Sequence, residues 1–142
     1  FMVFSVSGRS AVPVEVAMGA RQRGLPVIVA TSVAESMAAP SHHPSGTRLL
    51  DHGDVVIDLG TPPGDALVEL DGLDTRVGPG STFLFAAVAN EIKVETAVRL
   101  IDAGAMPPVI TSVSQVGEER SAALFDAAYA EHATRLARVI EP

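Results

Sequence analysis

Cysteine is absent from all 142 residues. That excludes disulfides, thiolate catalysis and every cysteine-based zinc or iron–sulfur site, and it makes a reducing cytoplasm the expected setting. Tryptophan is absent too, and aromatic residues are only 4% of the chain, so stacking platforms for nucleobases are poorly supplied. Basic residues are the minority: ten Lys and Arg stand against 17 Asp and Glu, a formal charge of −7. An acidic chain lacks the basic face that a phosphate backbone requires, and no nucleic-acid partner is expected. Long apolar runs are missing as well. The longest, Phe83 to Ala89, is far short of the roughly 20 residues of a membrane-spanning helix, and no membrane partner is expected. No basic segment leads into an apolar stretch at the start, so no signal peptide is expected. What is present is a 47% share of apolar residues, enough for a packed core and too many for a disordered chain. The length fits one domain over residues 1–142. The opening Phe1-Met2-Val3-Phe4 reads as a strand already under way, the expectation for part of a longer protein.

Strand-like and helix-like segments alternate. Met2 to Val6 is a short apolar run, and a helix fits residues 11 to 23, with Ser10 as its cap and Pro13 in its first turn. Glu15 suits the positive end of that helix, Arg21 and Arg23 its negative end, and Gly24 and Pro26 its stop. Val27-Ile28-Val29-Ala30 is apolar without alternation, the pattern of a strand buried on both faces in a parallel sheet. Residues 31 to 48 read as a polar loop, with a helical turn at Thr47 to Leu50. Val55-Val56-Ile57 is a third strand, Ala66 to Leu70 an irregular edge strand, and Gly78-Pro79-Gly80 a break. A long helix opens at Ser81 or Thr82 and ends at Gly104, Val109-Ile110-Thr111 is a further strand, and a final amphipathic helix covers about Glu118 to Ile140. This alternation predicts an α/β fold, a three-layer doubly wound sheet, mostly parallel.

In such a sheet ligands bind beyond the C-terminal ends of the strands, beside the N-termini of the following helices. Three hydroxyl-bearing turns fall there: Ser5, Ser7, Gly8 and Ser10 after the first strand, Thr31 and Ser32 after the second, Ser81 and Thr82 before the long helix. Backbone N–H groups with Ser and Thr hydroxyls hold a phosphate without a cation, which suits an anionic ligand on an acidic protein. Each turn taken alone is equally well an ordinary helix cap.

Phe4-Ser5-Val6-Ser7-Gly8-Arg9-Ser10 resembles the strand and SxSGxS/T turn of sugar isomerase (SIS) domains, which grips the phosphate of a phosphosugar. Ser7–Pro13, Ser41–Gly46, Asp54–Asp58, Pro62–Ala66 and Pro107–Val109 resemble, in the same order, the SIS branch grouped as UPF0309. The resemblance covers residues 2 to about 121. It implies a flavodoxin-like sheet, a phosphosugar as the small-molecule partner, no cofactor, and a homodimer or higher homo-oligomer. It also adds Asp65 to the pocket candidates. SIS domains carry a helix and a strand ahead of the SxSG strand. Neither is in this sequence, and a piece without them is expected to be a poor catalyst.

Glu91 follows Leu84, Ala87 and Val88 at helical spacing. A carboxylate closing an apolar stripe is either a desolvated base or surface support beside the Glu95–Arg99 pair. In some SIS isomerases the base between C1 and C2 sits on this helix, and Glu91 matches by position. His42 and His43 lack a third ligand at metal spacing, so no metal is expected. The resemblance puts them on a loop near the sugar, where either is a candidate acid or base, against a solvated pair as the plain alternative. His132 reads as a packed histidine, and Arg9 and Arg48 as charges near a phosphate or simply in water. The leading expectation is a phosphosugar-binding domain acting as an aldose–ketose isomerase. The alternatives are a non-catalytic phosphosugar sensor and a sugar-phosphate lyase or etherase. Fold alone does not choose among them.

Overall fold

Residues 1–140 are described by the computed structural model, and they fall into two compact units, residues 1–91 and the residues from Ile92 onward. In the first unit three apolar segments become strands, β1 (Met2–Phe4), β2 (Ile28–Thr31) and β3 (Val55–Asp58). They form one parallel sheet in the order β1-β2-β3, with Val29 between Val3 and Val56. Parallel neighbours need a crossover, and α1 (Ala11–Gln22) supplies the first. Its Val14, Ala17 and Ala20 recur every three residues and are buried against Val3, Val27, Val29 and Leu49. Two alanines in that stripe let the helix lie close on the sheet. Ser10 stands at the N-cap position of α1 without a side-chain capping bond.

The crossover from β2 to β3 corrects the reading of residues 31–48 as a loop. It holds α2 (Val33–Met37), and a 3-10 turn follows at Leu49–His52. Ser32-Val33-Ala34-Glu35 has the spacing of a helix start, and the Ser32 hydroxyl accepts from the Glu35 N–H at 3.1 Å. A second correction concerns Gly78-Pro79-Gly80, expected as a break. Its first two residues belong to β5 (Val77–Pro79), antiparallel to β4 (Ala66–Val68) in a separate two-stranded sheet. Proline is tolerated there because an edge strand leaves its missing N–H without consequence. From this hairpin the chain enters α3 (Ser81–Asp102). Phe85 in its first turns meets Phe4 of β1 edge to face at 5.4 Å.

The second unit holds the end of α3, then α4 (Val113–Val116) and α5 (Glu118–Ile140). Residues 109–111, expected as a strand, have no regular structure, and Val109 and Ile110 are exposed. A strand needs a ladder for its backbone groups, whereas here the Thr111 carbonyl accepts from the Ser121 hydroxyl at 2.7 Å. His132 is exposed rather than packed, because no residue of α5 is buried. Phe125 and Tyr129 stack on each other at 4.4 Å along that helix. No helix among the described residues is long and apolar enough to cross a membrane.

Candidate functional site

Because β1, β2 and β3 run parallel, the turns that leave Phe4, Thr31 and Asp58 open on one edge of the sheet. The first turn is closed by hydrogen bonds at Gly8. The Ser5 hydroxyl accepts from the Gly8 N–H at 3.2 Å, and the Gly8 carbonyl accepts from the Leu49 N–H at 2.8 Å. Gly8 is buried with φ +56°. The side chains of Ser7 and Ser10 make no hydrogen bond among the described residues, and both stand at the start of α1, whose first N–H groups have no partner within the helix. The chemistry on offer is that of an anion cradle made of neutral donors.

The hydroxyls of the second turn are spent internally. Thr31 and Ser32 are wholly buried. The Thr31 hydroxyl donates to the Val6 carbonyl at 3.0 Å, and the Ser32 hydroxyl donates to the Thr61 carbonyl at 2.6 Å. They lock the first turn to the second and the second to the Thr61–Asp65 turn. At the start of α3, the Ser81 N–H and hydroxyl both donate to the Asp65 carboxylate, at 3.0 and 2.5 Å. Asp65 holds φ +61°, a left-handed conformation that Asp tolerates better than most residues, and its carboxylate serves this cap. Thr82 is exposed in the first turn of α3. Glu91 is exposed as well, and ten residues of helix put it roughly 15 Å along α3 from Ser81.

The two arginines, read as charges near a phosphate or simply in water, are both engaged by the protein itself. Arg9 is 17% exposed and pairs at 2.7 Å with Glu35, itself 12% exposed. The other Glu35 oxygen accepts from the Gly64 N–H at 2.6 Å. One carboxylate thus joins the Ser7–Ser10 turn, α2 and the Pro62–Asp65 turn. Arg48 donates to the carbonyls of Ser36 and Ala39. The histidines also part company. His42 is exposed, and its N–H donates to the Arg9 carbonyl at 3.0 Å. His43 is buried, with Nε2 2.8 Å from Glu15 Oε1 and Nδ1 2.7 Å from Ser45 Oγ. The sheet edge therefore brings together Ser5, Ser7, Gly8, Ser10, Thr31, Ser32 and His42, and the Thr61–Asp65 turn links Asp65 and Ser81 to them. Glu91 stands apart along its helix. Glu35 escaped the sequence reading, and Glu15 entered it only as a helix-end charge. For Glu35 a signal was present in its spacing from Ser32; for Glu15 there was none, because its partner lies 28 residues away.

The family model of the SIS domain matches residues 1–32, which span β1, α1 and β2. The chain is 43% identical over 111 residues to a UPF0309 protein of Streptomyces coelicolor, covering 78% of this chain and 44% of that protein. It is 39% identical over 126 residues to a UPF0309 protein of Listeria innocua, covering 88% of this chain and 51% of that one. A UPF0309 protein of Oceanobacillus iheyensis is 36% identical over 125 residues, 87% of this chain and 51% of its own. The chain spans about half the length of the curated relatives it matches.

Proposed function

For a chain that belongs to the SIS-domain UPF0309 family, we propose a phosphosugar-binding role centred on the Ser5–Ser10 turn. The observation that carries it is the pair of unengaged hydroxyls, Ser7 and Ser10, at the uncapped start of α1, within the SIS match. A phosphate seated there would accept from these hydroxyls and from the first N–H groups of the helix, fixing the sugar's orientation. Glu35 supports the cradle from behind by holding Arg9 and Gly64.

The finer reading is an aldose–ketose isomerase of a sugar phosphate. A base takes the C2 proton to give an enediol, and a proton returns to C1 as the carbonyl moves. His42 is the candidate nearest the turn, and Glu91 is the candidate on α3. The whole protein's sheet is proposed to be doubly wound, its setting cytoplasmic, and its working state a homo-oligomer.

The test is a thermal-shift titration of the full-length protein with hexose, heptose and amino-sugar phosphates, and with the free sugars as controls. At a hundredfold excess over Kd, binding adds about 2.7 kcal/mol and raises the melting temperature. The expected outcome is a rise with phosphosugars only, lost when Ser7 and Ser10 are both changed to Ala. No rise with any phosphosugar would reduce the turn to a helix start. The sugar that binds is then followed in deuterated water, where loss of the C2 proton marks the isomerase and its retention marks a binding module.

A further inference from the structure

The loop after Pro40 carries a run of hydrogen bonds whose directions follow from one another once the hydrogen on the His43 ring is placed. The Ser45 backbone N–H can only donate, and it reaches His43 Nδ1 at 3.2 Å. Nδ1 is therefore the acceptor, and the ring hydrogen sits on Nε2. Nε2 faces Glu15 Oε1 at 2.8 Å, a carboxylate that accepts it. With Nδ1 bare, the Ser45 hydroxyl 2.7 Å away shares that lone pair as a second donor. Having spent its hydrogen, Ser45 Oγ can only accept from Thr47, whose N–H and hydroxyl stand at 3.2 and 2.6 Å. Thr47 Oγ1 in turn accepts from His52 Nε2 at 2.8 Å. The chain runs His52, Thr47, Ser45, His43, Glu15 in one direction, from the 3-10 turn through the loop to α1.

This is not a nucleophilic triad, although serine, histidine and glutamate are in line. An acyl-transfer site needs N–H groups aimed at a developing oxyanion. Here the N–H groups of Ser45, Gly46, Thr47 and Arg48 donate to His43 Nδ1, the His43 carbonyl, Ser45 Oγ and Asp51 Oδ2. His43 is also buried with both ring nitrogens engaged, so it has nothing to offer a ligand. The neighbouring His42 is exposed, and its backbone is tied to the Ser7–Ser10 turn through the Arg9 carbonyl.

We propose that Glu15 is a positioning residue that acts through His43. By holding the Nε2–H tautomer it orients the imidazole that anchors residues 41–47, and so it keeps His42 beside the Ser7–Ser10 turn. The functional meaning of that placement rests on the phosphosugar reading, in which His42 is the histidine open to the ligand.

The test uses the full-length protein without any ligand. Imidazole 15N shifts at about pH 8, where a histidine is ordinarily neutral, report the tautomer of His43. Amide hydrogen exchange reports the His42 N–H against the Ala17 N–H inside α1. Glu15→Ala is safe for folding because Glu15 is exposed on a helix and alanine is the best helix former. It should raise His42 exchange roughly tenfold or more while leaving Ala17 unchanged. Glu15→Gln keeps an acceptor oxygen and should restore His42 to within about threefold of the parent. A His43 protonated at Nδ1 in the parent overturns the proposal. So does unchanged His42 exchange in Glu15→Ala, or an equal rise at Ala17. A parent that binds no phosphosugar in the thermal titration would instead overturn the functional reading, and these ligand-free readouts would still decide the role of Glu15.

Discussion

At Gly8 the chain turns with φ +56°, and a Cβ added there would stand 2.9 Å from the Cβ of Leu49 and 3.4 Å from the Thr31 hydroxyl. Leu49 is wholly buried, and its N–H is bonded to the Gly8 carbonyl, so it cannot swing aside. Gly8→Ala combines a left-handed backbone with a clash against a fixed atom, and should destabilise the protein by about 2–4 kcal/mol. Urea unfolding of parent and variant measures it, and a loss below 1 kcal/mol would show that the turn relaxes more freely than its geometry implies. The glycine was legible in the sequence as part of the SxSG turn, but the reason for it was not, since Leu49 is 41 residues away. The same holds for the hydroxyls. A sequence places Ser7, Ser10, Thr31 and Ser32 at one sheet edge, yet only the folded chain separates the two left unengaged from the two consumed by the Val6 and Thr61 carbonyls.

Elements are joined at the opposite edge of the sheet by Asp54. One of its oxygens accepts from the Val27 N–H at 2.7 Å and the other from Arg21 at 2.8 Å, so it ties the start of β3 to the approach to β2 and the end of α1. The Val27 N–H, and after it the Arg21 guanidinium, hold this carboxyl below its ordinary 3.8. A carboxyl whose pKa is lower folded than unfolded stabilises the fold above the unfolded value, and that contribution is lost as the pH falls through the folded one. Asp54→Asn should therefore flatten the decline in melting temperature below about pH 4, and a variant that declines as the parent does would remove Asp54 from the account. Elements with long apolar periodicity or clear caps were legible: β1, α1, β2, β3, α3 and α5. Three short ones, α2, α4 and β5, were not. α2 has five residues, too few for periodicity, and its start lay inside a polar stretch. β5 is built on Gly78 and Pro79, which argue for a break unless a partner strand is known.

At the scale of the molecule, much apolar surface stays uncovered. In the second unit Val94, Val98 and Ile101 recur at helical spacing along α3, and all are exposed. An apolar stripe on a helix rarely faces water, and in the proposed homo-oligomer a second copy would cover it. Val98→Asp places a charge in the stripe without touching the buried core, and should shift the full-length protein to the monomer in sedimentation or size-exclusion measurements. An unchanged assembly would put the contact elsewhere.

The ion pair between Arg9 and Glu35 has a consequence for how the Ser7–Ser10 turn meets a crowded, anion-rich solution. A turn that carries its own counter-ion attracts no diffuse cloud of anions and displaces none when a phosphate arrives. The part of the affinity that comes from the turn itself would rest on hydrogen bonds of short range and would change little with added salt. With a net charge of −7, the surrounding protein would meanwhile repel long polyanions that share the same phosphate group. Selection by size would then precede any contact with the sugar.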